Sequence, residues 1–160
     1  MKHYNKYGNK KVVIDGIEFD SKNEGYRWSY LKLLEKKGEI RNLRRQVYFE
    51  ITPDIYQIIP RVGKRGQPLM PNRRLMLNKC GYYADFVYEA RNKKGNIPPW
   101  RTVIEDFKGK ETKEFILKRK VLWYFRGVFI HIIKSPSSDI PEDIELDLTP
   151  VMSRDIGFID

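Results

Sequence analysis

Along the first forty residues the apolar positions change period once. Lys11-Val12-Val13-Ile14 and Ile17-Glu18-Phe19 read as short strands around Asp15-Gly16, a dipeptide that accepts the positive φ angles of a two-residue turn, so the chain opens on a β-hairpin. From Ser21 the spacing becomes helical. Ser21 with Glu24 three residues later forms a capping box, Glu24, Trp28, Leu31 and Glu35 share one stripe, and Gly38 closes a helix that runs to about Lys37. Arg44 to Ile51 and Ile55 to Ile59 have strand composition, and Pro53-Asp54 between them predicts a second hairpin. Arg61 to Lys79 holds six basic residues, no acidic ones, two glycines and two prolines, and reads as a loop. Tyr82 to Glu89 and Arg101 to Lys108 predict two neighbouring strands joined through Lys94-Gly95-Asn96 and Pro98-Pro99. Thr112 caps a second helix from Lys113 to about Tyr124, Gly127 closes it, and Val128 to Ile133 is apolar enough for a central strand. The order is ββ, α, ββ, ββ, α, β.

At 160 residues and 41% hydrophobic content the chain can bury roughly 70% of its unfolded surface without disulfides or a structural metal. The single cysteine, Cys80, forms no intramolecular disulfide, and the first residues carry no apolar leader, which places the expected compartment in a reducing cytosol. No window approaches a membrane span; the most apolar is Val128 to Ile133. The net charge of +10 favours a polyanionic partner, nucleic acid first. That charge is uneven. Residues 1–134 carry a surplus of 16 positive charges, and residues 135–160, after the break at Ser135-Pro136-Ser137-Ser138, carry a deficit of six. The expected organisation is one body over 1–134 with an acidic tail or arm over 135–160.

Two histidines, His3 and His131, and one cysteine are too few for a zinc site, so any metal is held by oxygen. Asp85 sits in an otherwise uncharged strand, where a carboxylate is costly unless solvated, paired or metal-bound. In the next strand Asp106 and Lys108 are two apart and share a face, with Glu105 and Phe107 on the other. Two carboxylates converging from paired strands suit Mg²⁺, and a lysine beside them can orient or activate the attacking water of a phosphodiester hydrolase.

These residues resemble the PD-(D/E)XK nuclease superfamily over about residues 6–133. Asp85 resembles its first acid, Asp106-Phe107-Lys108 its acid-x-Lys element, and Glu24 the acid that many members contribute from an N-terminal helix; Ala84 stands where the family name has Pro. The resemblance is closest to small phage-encoded nucleases and junction-resolving endonucleases. It implies an α/β (α+β) fold with a mixed central sheet flanked by helices. It further implies Mg²⁺-dependent DNA cleavage, with Mn²⁺ able to substitute, Holliday-junction or other branched DNA among the substrates, and a homodimer. Asp85, Asp106 and Glu24 are then the metal ligands, and Lys108 completes the catalytic set.

The expected DNA contacts are Arg44 and Arg45, the basic segment with Arg61, Lys64, Arg65, Arg73 and Arg74, and Lys118 and Lys120 on the second helix. Trp123-Tyr124-Phe125 is expected in the core, and Tyr82 and Tyr83 in sheet packing. Two other classes compete with the nuclease: a DNA-binding protein of the same fold without cleavage, and a regulatory protein that engages a partner through its acidic tail.

Overall fold

The computed structural model describes residues 11–92 and 99–142. Strands β1 (Val12–Ile14) and β2 (Ile17–Phe19) pair antiparallel around Asp15 and Gly16, both at positive φ, as a tight turn requires. Helix α1 (Lys22–Lys36) starts at Ser21, whose hydroxyl accepts the Glu24 amide, and Gly38 follows its C-cap at φ +74°. The hairpin lies so close on α1 that a Cβ at Gly25 would come within 2.7 Å of Ile14 and 3.0 Å of Val12.

A four-stranded sheet forms the centre, in the order β3 (Ile40–Thr52), β6 (Cys80–Arg91), β7 (Trp100–Phe107), β8 (His131–Ile133). The first two pairings are antiparallel and β7/β8 is parallel, so the sheet is mixed. Helix α2 (Lys113–Arg126) joins β7 to β8, with Thr112 as N-cap and Gly127 as left-handed C-cap. Strand alternation sends Phe86, Tyr88, Ala90 and Val103 to one face, against Leu31 and Leu34 of α1. Val87 and Ile104 go to the other, against Phe115 and Leu122 of α2. The result is an α+β fold with one helix on each face and the N-terminal hairpin beside α1.

Three expectations change. Residues 55–59 do not return along the preceding strand: β4 (Ile55–Val62) pairs antiparallel with β5 (Pro68–Leu77), inside the segment read as a loop. The chain reverses at Gly63–Gln67, where the Gly63 amide donates to the Gln67 carbonyl at 2.8 Å. The prolines that argued against a strand are tolerated because this ribbon has only two strands and both outer edges need no donor; Pro60 and Pro71 fall in the register break between Ile59 and Arg61.

Second, the final strand is only His131–Ile133 and lies at the sheet's edge, not its centre. The apolarity of Ile130 is accounted for by burial against the α2 side of the core. Third, Tyr124 and Phe125 of the aromatic run are exposed rather than core; Leu122 is the buried residue of that turn.

The start of the acidic segment is held on the body. Arg27 donates to the carbonyls of Pro136 and Ser138, Arg101 to that of Pro141, and Ile140 packs against the α1 side of the core. Residues beyond Glu142, and the turn residues Lys94, Gly95, Asn96 and Pro98, lie outside the described residues. Among the described residues no helix is long and apolar enough to cross a membrane.

Candidate active site

Pairing of β6 with β7 proceeds from Arg91↔Trp100 to Phe86↔Glu105, and the next step of the same register sets Asp85 across from Asp106. There the ladder stops. In its place the Asp85 carboxylate accepts the Phe107 amide at 2.8 Å through Oδ2 and the Gln46 side-chain amide at 3.1 Å through Oδ1. Gln46 comes from β3 on the opposite side of β6 and holds a φ of +50°, a left-handed conformation uncommon for a residue with a side chain.

Asp106 is fully buried. Its Oδ1 accepts the Tyr82 hydroxyl, and its Oδ2 lies 3.0 Å from Lys108 Nζ without the alignment of a hydrogen bond, so this buried oxygen has no hydrogen-bond donor. Lys108 follows the end of β7, anchored by its amide on the Ile133 carbonyl at 3.2 Å, and its ammonium lies over the Tyr82 and Phe115 rings. Glu24 reaches the same place from the first turn of α1, where one carboxylate oxygen accepts the Ser21 hydroxyl at 3.2 Å.

A cleft of about 610 Å³ adjoins these groups; Glu24, Tyr82, Lys108, Lys110, Glu114 and Lys118 are among its lining residues, whereas Asp85 and Asp106 lie behind it and do not line it. Its electrostatics couple all four expected residues. Burial, and after it the charge of Asp106, push the Asp85 carboxyl up to about 7; Glu24 adds to the rise, while the Phe107 amide and Lys108 oppose it. Burial also raises Glu24, against the Ser21 hydrogen bond, and the charges of Asp20 and Asp106 add to that rise while Lys108 lowers it.

A carboxyl raised in the folded state keeps its proton through a range in which the unfolded chain has released it. The contribution of Asp85 to the stability of the metal-free protein therefore falls as pH rises from near 3.8 to about 7, and thermal melts of Asp85→Asn across that range will lack this falling component.

The fit to a hard cation is chemical. Asp106 offers a buried oxygen with no hydrogen-bond donor, and burial, with the neighbouring Asp106 charge second, disfavours ionisation of Asp85; an oxygen-binding divalent ion would offset both. Among the described residues no three His, Cys, Asp or Glu side chains stand close enough to close on one ion as they are. Both aspartates are turned to protein donors instead.

The remaining expected contacts divide. Lys118 lines the cleft and pairs with Glu114 at 2.8 Å, whereas exposed Lys120 is not among the cleft residues. Arg44 is exposed on β3. Arg45 is a brace for the N-terminal hairpin: its guanidinium covers Phe19 at 4.9 Å and donates to the Glu18 carbonyl at 3.2 Å. Arg61, Lys64, Arg65, Arg73 and Arg74 all lie on the β4–β5 ribbon and its turn.

Three residues at the site lie outside the sequence expectations, the first being Lys110, which lines the cleft just after Lys108. Tyr82 was read as packing, yet its hydroxyl caps Asp106; Gln46 carries no sequence signal, since only the β3–β6 register brings it to Asp85.

Residues 4–138 match the family model described as a protein of unknown function, DUF1064. No curated protein and no solved structure matches the chain.

Proposed function

The chain belongs to the DUF1064 family, and we propose that it is a divalent-metal-dependent nuclease that hydrolyses phosphodiester bonds in DNA. The observation that carries the reading is the meeting of Asp85, Asp106 and Lys108 at the ends of two paired strands, with Lys108 and Glu24 lining the adjoining cleft beside Lys110 and Lys118. Resemblance to the PD-(D/E)XK superfamily supports it as well, because the same residues match that motif in the same order.

In this reading Asp85 and Asp106, with Glu24 beside them, would hold Mg²⁺. When bound, the ion supplies Lewis-acid polarisation of the phosphate and a water of lowered pKa. Lys108, beside Asp106, would orient the attacking water, and Lys110 and Lys118 would neutralise flanking phosphates. A new bond forms from the water oxygen to phosphorus as the bond to one ester oxygen breaks; the water's proton passes to solvent and the departing oxygen takes one up.

Incubating the protein with labelled linear duplex and a matched four-way junction tests the proposal. Cleavage in Mg²⁺ that stops in EDTA is the expected result; binding without cleavage in either would favour the non-catalytic DNA-binding reading. A junction cut in preference to the duplex, with a dimeric mass in solution, would extend the proposal to a resolvase. Glu24→Gln still accepts the Ser21 hydroxyl, so melting should hold while turnover falls roughly 10–100-fold, as for groups that support a metal centre. Unchanged turnover would leave Glu24 a helix cap.

A further inference from the structure

We propose that the β4–β5 ribbon is an arm that enters the major groove of duplex DNA and reads base edges through one of its faces. The inference rests on the nuclease reading and adds to it a substrate form and a source of selectivity.

Every residue of both strands is exposed, which is unusual for a two-stranded sheet of this length, since such a ribbon is only marginally stable alone. Its apolar side chains, Ile59 at 38% and Leu69 at 40% exposure among them, ask for a partner. The ribbon has seven paired positions, and its charge decides which partner. Residues 54–79 carry six cations and one acid, Asp54, a composition that repels a second copy and attracts a polyanion. A two-stranded ribbon is also of a width that the roughly 12 Å major groove admits.

The two faces differ. Register places Gln57 opposite Arg74, Ile59 opposite Asn72 and Arg61 opposite Leu69, so Gln57, Arg61, Asn72 and Arg74 share one face. Arg61 Nη1 reaches Asn72 Oδ1 at 3.4 Å across it. The opposite face carries Tyr56, Ile58 and Leu75, with the Arg73 guanidinium 4.2 Å from the Tyr56 ring. Arginine pairs bidentately with guanine, and asparagine or glutamine with adenine. One face thus holds four side chains of the types that discriminate bases, while Lys64 and Arg65 at the turn are placed for phosphate.

Selection from a random duplex library in EDTA tests this, with binding to duplex and to single strand followed as salt is raised. Wild-type protein should enrich a short motif and prefer duplex. Arg74→Lys keeps the charge and loses the planar fork; it should keep the salt slope of non-specific binding while discrimination at one base position falls about 10–100-fold. Gln57→Ala with Asn72→Ala should relax other positions without changing the salt slope. No enrichment by wild type, or the same motif from all three proteins, overturns the arm while leaving the nuclease reading intact. Wild-type protein that binds no nucleic acid overturns both.

Discussion

Asp106→Asn should lower DNA cleavage by about 10³-fold or more while DNA binding stays the same or tightens. Charge stabilisation at a metal-assisted phosphoryl centre amounts to several kcal/mol, and each 1.36 kcal/mol is tenfold in rate. Binding follows the opposite sign because the substitution removes a negative charge that faces phosphate. Asp85→Asn should lower cleavage alike, since it removes the second carboxylate of the pair, but with a smaller gain in binding below about pH 7, where the Asp85 carboxyl keeps its proton. Lys108→Ala should lose most activity yet still bind Mg²⁺, because the amine acts on the water and on Asp106, not on the ion. Single-turnover cleavage together with calorimetric Mg²⁺ titration reads all three. Wild-type rates in Lys108→Ala would leave the lysine as an ion-pair partner of Asp106 only.

The largest effect on stability is expected at Arg27. Its guanidinium is fully buried and grips Glu105 through two hydrogen bonds, Nε to Oε2 at 2.9 Å and Nη2 to Oε1 at 2.6 Å, while Glu105 also accepts the Tyr88 hydroxyl. Removing one partner of such a pair strands the other charge in the core. Arg27→Ala should therefore cost about 3–5 kcal/mol and lower the melting temperature by roughly 10 °C or more. Arg27→Met with Glu105→Leu should recover part of that loss, as hydrophobic replacements of buried ion pairs do, though not the contacts to Pro136 and Ser138. Urea unfolding of the single and double variants measures both. An Arg27→Ala protein as stable as wild type would mean that water reaches Glu105 readily.

What the sequence made legible is local chemistry. Asp15-Gly16, the Ser21 and Thr112 caps and the Gly127 terminus act within a few residues, and each element they bound begins or ends where they place it. Asp85, Asp106 and Lys108 could be brought together because period-2 alternation and neighbouring strands suffice to predict it. Arg27 and Glu105 are 78 residues apart, and their pairing depends on how α1 settles on the sheet. A faint signal existed: Arg27 stands four and seven residues before Leu31 and Leu34, on the buried stripe, where an arginine needs an acid. The β4–β5 ribbon was hidden for another reason. Pro68 and Pro71 and the two adjacent arginines read as loop composition, and only a sheet whose outer edges face solvent makes them compatible with a strand.

Those open edges have a consequence for the behaviour of the chain in concentrated solution. An exposed ribbon rich in Ile, Leu and Met is a template for intermolecular β-pairing and the aggregation that follows. Pro60, Pro68 and Pro71 withhold amide donors along both rims, and Arg73 and Arg74 set like charges against any approaching copy, so the residues that obscured the strand also serve as its gatekeepers. Trading these prolines for β-branched residues would strengthen the hairpin and sacrifice solubility.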